Sequence, residues 1–209
     1  MRILRTALLI LLLAGIPVAA SAPADKNETA AQQAKAAVER AVDFFMEVLT
    51  ARIDQYWHIG DYENCVRLLR LQMELDPSWV ESYDGAGWLL WSMERFEEAE
   101  AVYKQGIANN PDNYRLYFEL GHMYFRTAKP SIYKKSGEES RQLFEKATEQ
   151  LYLAVQHPCP PDVNRLLAHT LHILGRYEEE RAVLEDVLKK NPTDAIALRD
   201  LKRLEEMGK

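Results

Sequence analysis

The sequence predicts an all-α protein, a stack of about four helical hairpins closed by an amphipathic helix, and three observations predict it. Asp76-Pro77 recurs as Asn110-Pro111 after 34 residues. Between these marks, small residues (Ala86, Gly87, Ala99, Gly106) stand where two helices must come close, and large ones (Tyr83, Leu90, Tyr103) stand where space must be filled. Gly and Pro, nine each, fall mostly at the ends of apolar-periodic segments rather than inside them. A unit of this length cannot bury its own apolar face, so neighbouring units bury it for one another.

The N-terminal segment lies outside that array. Arg2 and Arg5 precede an apolar run from Ala7 to Ala19, Pro17 breaks the run, and Ala20-Ser21-Ala22 offers an A-x-A cleavage site. This order is that of a secretory leader over residues 1–22. The run is shorter than the ~20 residues an uncleaved membrane anchor needs, and no later segment is apolar enough to span. The expected location is periplasmic or secreted, with cleavage after Ala22 and no membrane insertion afterwards. The formal charge of the chain is −6, and loss of two leader arginines would leave −8. An acidic chain lacks the excess of Lys and Arg that replaces phosphate counterions, so nucleic acid is not an expected partner. Asn27-Glu28-Thr29 has the form of a glycosylation triplet, which would be without consequence in the bacterial source that is expected.

The elements then follow in order. Residues 23–45 contain an Ala- and Gln-rich stretch, Asn27 to Arg40, expected to extend the first helix backwards. The first hairpin covers 46–79, with Gly60 as a helix stop and Tyr62, Cys65 and Leu69 on its second helix. The second covers 80–113, where Ser78 and Glu81 have the spacing of a capping box. The third covers 114–160. Its first helix carries Tyr117, Leu120, Gly121 and Tyr124, but Phe144, Ala147, Leu151 and Ala154 of the second helix arrive about 14 residues later than a short turn allows. A loop over about 129–137, within an insertion at about 127–143, and a second helix from about Glu138 to Gln156 account for the delay. The run Pro158-Cys159-Pro160-Pro161 ends it. The fourth hairpin covers 161–194, with Leu167-Ala168, Gly175, Tyr177 and Leu184; Glu180 stands where a small residue belongs, which is expected to weaken its packing. Asp112 and Thr193 are expected to cap the helices that follow them. Residues 195–209 form the closing helix, with Ile196, Leu198, Leu201 and Leu204 on one face. Cys65 and Cys159 fall in different layers, beyond the ~7 Å Cα separation of a disulfide, and are expected to be free thiols.

This pattern of aromatic, small and proline positions, strongest over residues 80–113 and in phase over 46–194, resembles the tetratricopeptide-repeat (TPR) family. The resemblance implies a right-handed superhelical solenoid whose inner surface is lined by the first helix of each hairpin. Carried over residue by residue, that surface presents Asp54 and Trp57 from the first hairpin and Asp84, Trp88 and Trp91 from the second. The third supplies Phe118, His122, Phe125 and Arg126, and the fourth Arg165, His169 and His172. The aromatics are extra to the packing positions of the motif, and large apolar residues gathered on one face mark a binding surface. The acids lie towards one end of the set and the arginines towards the other. The family's carboxylate clamp is not expected, because Asp84 and Trp88 occupy positions where it needs Lys and Asn.

His122, His169 and His172, with Glu119 three residues before His122, also have metal-ligand chemistry. A polar groove with ordinary histidines explains them more simply, and neither a metal nor a cofactor is expected. The sequence shows no phosphate loop, no His-Glu-x-x-His, no paired-cysteine cluster and no nucleophile elbow. The functional expectation is a non-catalytic interaction scaffold or adaptor of the bacterial cell envelope that binds a protein or peptide segment in an aromatic groove. A glycan-binding module, or an accessory subunit of an envelope enzyme complex, is the alternative.

Overall fold

The computed structural model describes residues 30–133 and 135–209, so the expected leader and the glycosylation triplet lie outside the described residues. Everything described is helix, turn or loop, without strand. No described helix is long and apolar enough to cross a membrane. The chain divides into two compact units, which meet in sequence between Trp79 and Val80.

The N-terminal unit is one hairpin of unequal arms. Helix α1 runs Ala30–His58 and α2 runs Tyr62–Leu75. Between them Gly60 takes φ +75°, a left-handed conformation that glycine adopts without penalty. Asp61 then caps α2, its Oδ1 accepting the Asn64 backbone N–H at 3.2 Å. Cys65, Val66, Leu69 and Met73 form the buried side of α2. The Cys65 thiol donates to the Ile53 carbonyl at 3.5 Å, and Gln72 Nε2 donates to Thr50 Oγ1 at 2.9 Å, tying α2 to the C-terminal half of α1. Both cysteines of the protein are free thiols, and burial pushes the Cys65 thiol up.

The C-terminal unit stacks three hairpins and a closing helix. Helices α3 (Val80–Ser92) and α4 (Phe96–Asn109) make the first hairpin. The second is α5 (Tyr114–Thr127), a single-turn α6 (Pro130–Tyr133) and α7 (Gly137–Val155). The third is α8 (Pro161–Leu174) and α9 (Tyr177–Lys190), and α10 (Ala195–Glu206) closes the unit. The close approaches are real. A Cβ on Gly87 would lie 2.4 Å from the Tyr103 ring, and one on Gly121 would lie 2.9 Å from Leu151. Leu151, Val163, Leu167 and Leu171 join the second hairpin to the third, and Leu184, Val187, Ala197 and Leu204 join the third to α10.

Four local expectations are corrected. The inserted segment is not all loop: α6 forms within it, and Tyr133 packs edge-on against Phe96 at 5.2 Å. Ser136 and Glu139 close a full capping box that starts α7. Ser78 does not cap α3: its backbone N–H and its hydroxyl both donate to Asp76 Oδ1, at 2.9 and 2.6 Å. Thr193 repeats this arrangement on Asn191. The caps of α5 and α10 are the following residues, Asn113 and Asp194, rather than Asp112 and Thr193. Before α10 the turn takes up the Thr193 hydroxyl, and the cap falls one position on, at Asp194.

Glu180 is the fourth correction. It does not loosen the third hairpin of this unit. It is 1% exposed and bridges His172 Nδ1 at 2.8 Å and Arg203 Nη2 at 3.0 Å, linking α9 to both α8 and α10.

Candidate functional site

In the C-terminal unit the first helices of successive hairpins are neighbours: α3 packs on α5 as well as on α4, and α5 reaches α8. Residues on one face of these helices are therefore brought together although they lie more than thirty positions apart. Trp91 of α3 is partly buried, and its Nε1 donates to Thr127 Oγ1 of α5 at 3.1 Å. The Thr127 hydroxyl in turn donates to the Met123 carbonyl at 2.8 Å, so the indole is held by a group that is itself oriented. Trp91 then meets His122 edge-on at 6.2 Å, and His122 stacks on Phe118 at 5.7 Å with the rings 14° apart. Trp88, one turn before Trp91, is 43% exposed. The outcome is a continuous aromatic strip, Trp91–His122–Phe118, with Trp88 open beside it.

The strip has a charged border. Arg115 donates to Asp84 Oδ2 and lies 3.7 Å from Glu81 Oε1. Burial lifts the Asp84 carboxyl above its usual range, Glu119 pushes the same way, and Arg115 pulls back. Burial raises the pKa of Tyr103 strongly, and the charges of Glu119 and Asp84 push the same way. Glu119 was not among the residues expected on this face. Its only sequence signal was its place three residues before His122, whose Nδ1 lies 3.9 Å from Glu119 Oε2.

Other expected site residues are placed differently. Phe125 is only 4% exposed and does not present a surface: it packs between Phe144 at 5.6 Å and His169 at 5.5 Å, with Lys129 Nζ over its ring. Its position is turned towards α7, the long second helix of its own hairpin. Arg165 is not an open groove charge, since it pairs with Asp162 at 2.5 Å and with the Asp194 cap at 2.9 Å. His172 belongs to the Glu180 bridge. The expected separation of acids from arginines is also replaced, because Arg115 and Arg165 each pair with an acid on the neighbouring layer. Arg126 is exposed, and His169 reaches the surface while packing one side of its ring on Phe125. Partial burial lowers the His169 pKa, and Lys129, His172 and Arg203 add to the effect. Asp54 and Trp57 lie on α1 of the N-terminal unit; both are exposed, and Trp57 leans edge-on against Tyr62 at 5.5 Å. Among the described residues, no group of three or more His, Cys, Asp or Glu side chains is arranged to hold a metal ion.

Comparison with known proteins agrees with this architecture. The family model described as Tetratricopeptide repeat matches residues 85–154, from within α3 to within α7. The chain is 27% identical over 85 residues to the tetratricopeptide repeat-containing protein trd-1 of Caenorhabditis elegans, a match covering 40% of this chain and 11% of that protein. It is 25% identical over 144 residues to the BBSome complex member BBS4 homolog of Drosophila melanogaster, covering 66% of this chain and 28% of that protein. The chain thus spans about a tenth and about a quarter of the length of these two relatives. Among solved structures, pilF of Pseudomonas aeruginosa superposes with a TM-score of 0.55 at 18% identity, covering 80% of this chain and 72% of that one, which shows a shared fold. That fold implies a scaffold for protein–protein interaction, in a family that is generally non-catalytic. The repeat motif in phase, the family model matched over residues 85–154 and the stacked hairpins agree, and the chain has the fold of tetratricopeptide-repeat proteins.

Proposed function

We propose that this chain is a non-catalytic adaptor of the bacterial cell envelope, which holds an extended segment of a partner protein on the first-helix face of its C-terminal unit. The observation that carries the reading is the Trp91–His122–Phe118 strip with Trp88 open beside it. Rings held by neighbouring helices and by the Thr127 hydroxyl give up little freedom on binding, which is the property of interface anchors. The border supplies direction. Glu81, Asp84 and Glu119 outnumber Arg115 there, so a segment with a Lys or Arg beside an apolar residue matches the face.

Tiled peptide arrays of envelope proteins, probed with the purified chain, test the reading. Peptides with a basic residue next to an aromatic or aliphatic one are expected to bind. Trp88→Ala combined with Trp91→Ala is expected to weaken them by at least about tenfold. Unchanged binding in the double variant would remove the strip as the site. The location is tested separately: N-terminal sequencing of the exported protein should begin at Pro23, and a chain beginning at Met1 would count against export through a cleaved leader.

A further inference from the structure

Helix α1 leaves large apolar side chains exposed along one stripe. α1 has 29 residues and α2 has 14, or about 43 Å against about 21 Å of helix. The bonds that tie α2 to α1 reach Ile53, Thr50 and Met46, leaving much of the N-terminal half of α1 beyond its partner. From that half into the stretch alongside α2, Ala34, Ala37, Ala41, Phe44, Val48 and Ala51 follow one another at intervals of three and four residues, the a/d spacing of a coiled coil. This seam lies roughly 110° around the helix from the strip that meets α2. Phe44 is 55% exposed and Val48 48% exposed, so the seam's largest side chains face outward in the folded chain.

We infer that this seam is a self-association surface, on which α1 of a second copy packs antiparallel. Complementarity of size and of charge selects this occupant. In an antiparallel pair each a position faces a d position, which sets Ala41 against the partner's Phe44 and Ala37 against the partner's Val48. Both large residues of the seam, Phe44 and Val48, then meet an alanine, and Ala34 meets the partner's Ala51, whereas a parallel pair would set Phe44 against Phe44. The same register places exposed Arg40 beside the partner's Glu47, and two-fold symmetry makes that pair twice. A parallel pair would instead call on Arg52, which is already engaged on its own helix, donating to Gln55 at 2.7 Å and lying over the Tyr56 ring at 4.8 Å.

Sedimentation equilibrium of the purified chain tests the inference. A concentration-dependent monomer–dimer equilibrium is expected, shifted to monomer by Phe44→Glu with unchanged helical circular dichroism. Arg40→Glu and Glu47→Arg, each alone, bring like charges together twice and are expected to weaken the dimer by at least about tenfold. The double reversal, Arg40→Glu with Glu47→Arg, is expected to restore it. A chain that stays monomeric up to about 0.5 mM, a dimer indifferent to Phe44→Glu, or a double reversal that fails to rescue would each overturn the proposal. A dimer sensitive to Glu47→Arg but not to Arg40→Glu would overturn the antiparallel register.

Discussion

Gly87→Ala adds one carbon at the tightest approach between α3 and α4. The new Cβ would stand 2.4, 2.6 and 2.7 Å from three atoms of the Tyr103 ring, all inside the closest distance such atoms tolerate. Tyr103 is only 1% exposed, so its ring has no open space into which to swing aside. Overpacking of a closed core costs about 1–3 kcal/mol, and a clash with this many ring atoms belongs at the upper end. Against this, alanine is the better helix former by about 1 kcal/mol. The net loss is about 2 kcal/mol, which for a chain of this size is a fall of about 4–8 °C in Tm. Thermal and urea unfolding followed by circular dichroism would read it. Gly137→Ala is the control, since nothing lies within 4 Å of a Cβ there and no loss is expected. Tyr103→Leu in the Gly87→Ala background should recover part of the loss, a coupling that a double-mutant cycle measures. A Gly87→Ala chain that melts at or above the parent temperature would refute the packing argument.

Three further outcomes are expected. Glu94 ends the turn between α3 and α4 at φ +60°, where the N-terminal unit has Gly60 and the last hairpin has Gly175; Glu94→Gly should raise stability by about 1 kcal/mol, seen as a higher urea midpoint. Glu180→Ala strips His172 and Arg203 of their shared carboxylate; both are partly exposed and can turn to water, so the loss should be about 1–3 kcal/mol, measured by the same unfolding. Partial burial lowers the pKa of His169 in the folded chain, so the unfolded chain binds the proton more readily. The stabilising effect of its neutral form is present above about pH 6.5 and is lost as pH falls through the lower folded value. His169→Gln should flatten that part of the Tm–pH profile, and an NMR titration of the ring should place its midpoint below the ordinary histidine value.

The fold class, the hairpin repeat and its glycine contacts were legible in the sequence because each depends on one residue type meeting one local demand. Gly60 and Gly175 sit where φ must be positive, and Gly87 and Gly121 where helices touch. The candidate aromatics could be named for the same reason, since first-helix positions recur with the repeat. What the sequence could not reveal depended on distance in the chain. Phe125 and Trp91 look alike as exposed-position aromatics, yet α7 covers one, while Thr127 holds the other in the strip. Glu180 reads as a packing defect until Arg203 of α10 arrives 23 residues later to share its charge with His172. Periodicity assigns a side chain to a face of its own helix; only the packed structure decides what stands opposite that face, because burial, ion pairing and ring contacts are properties of two elements at once.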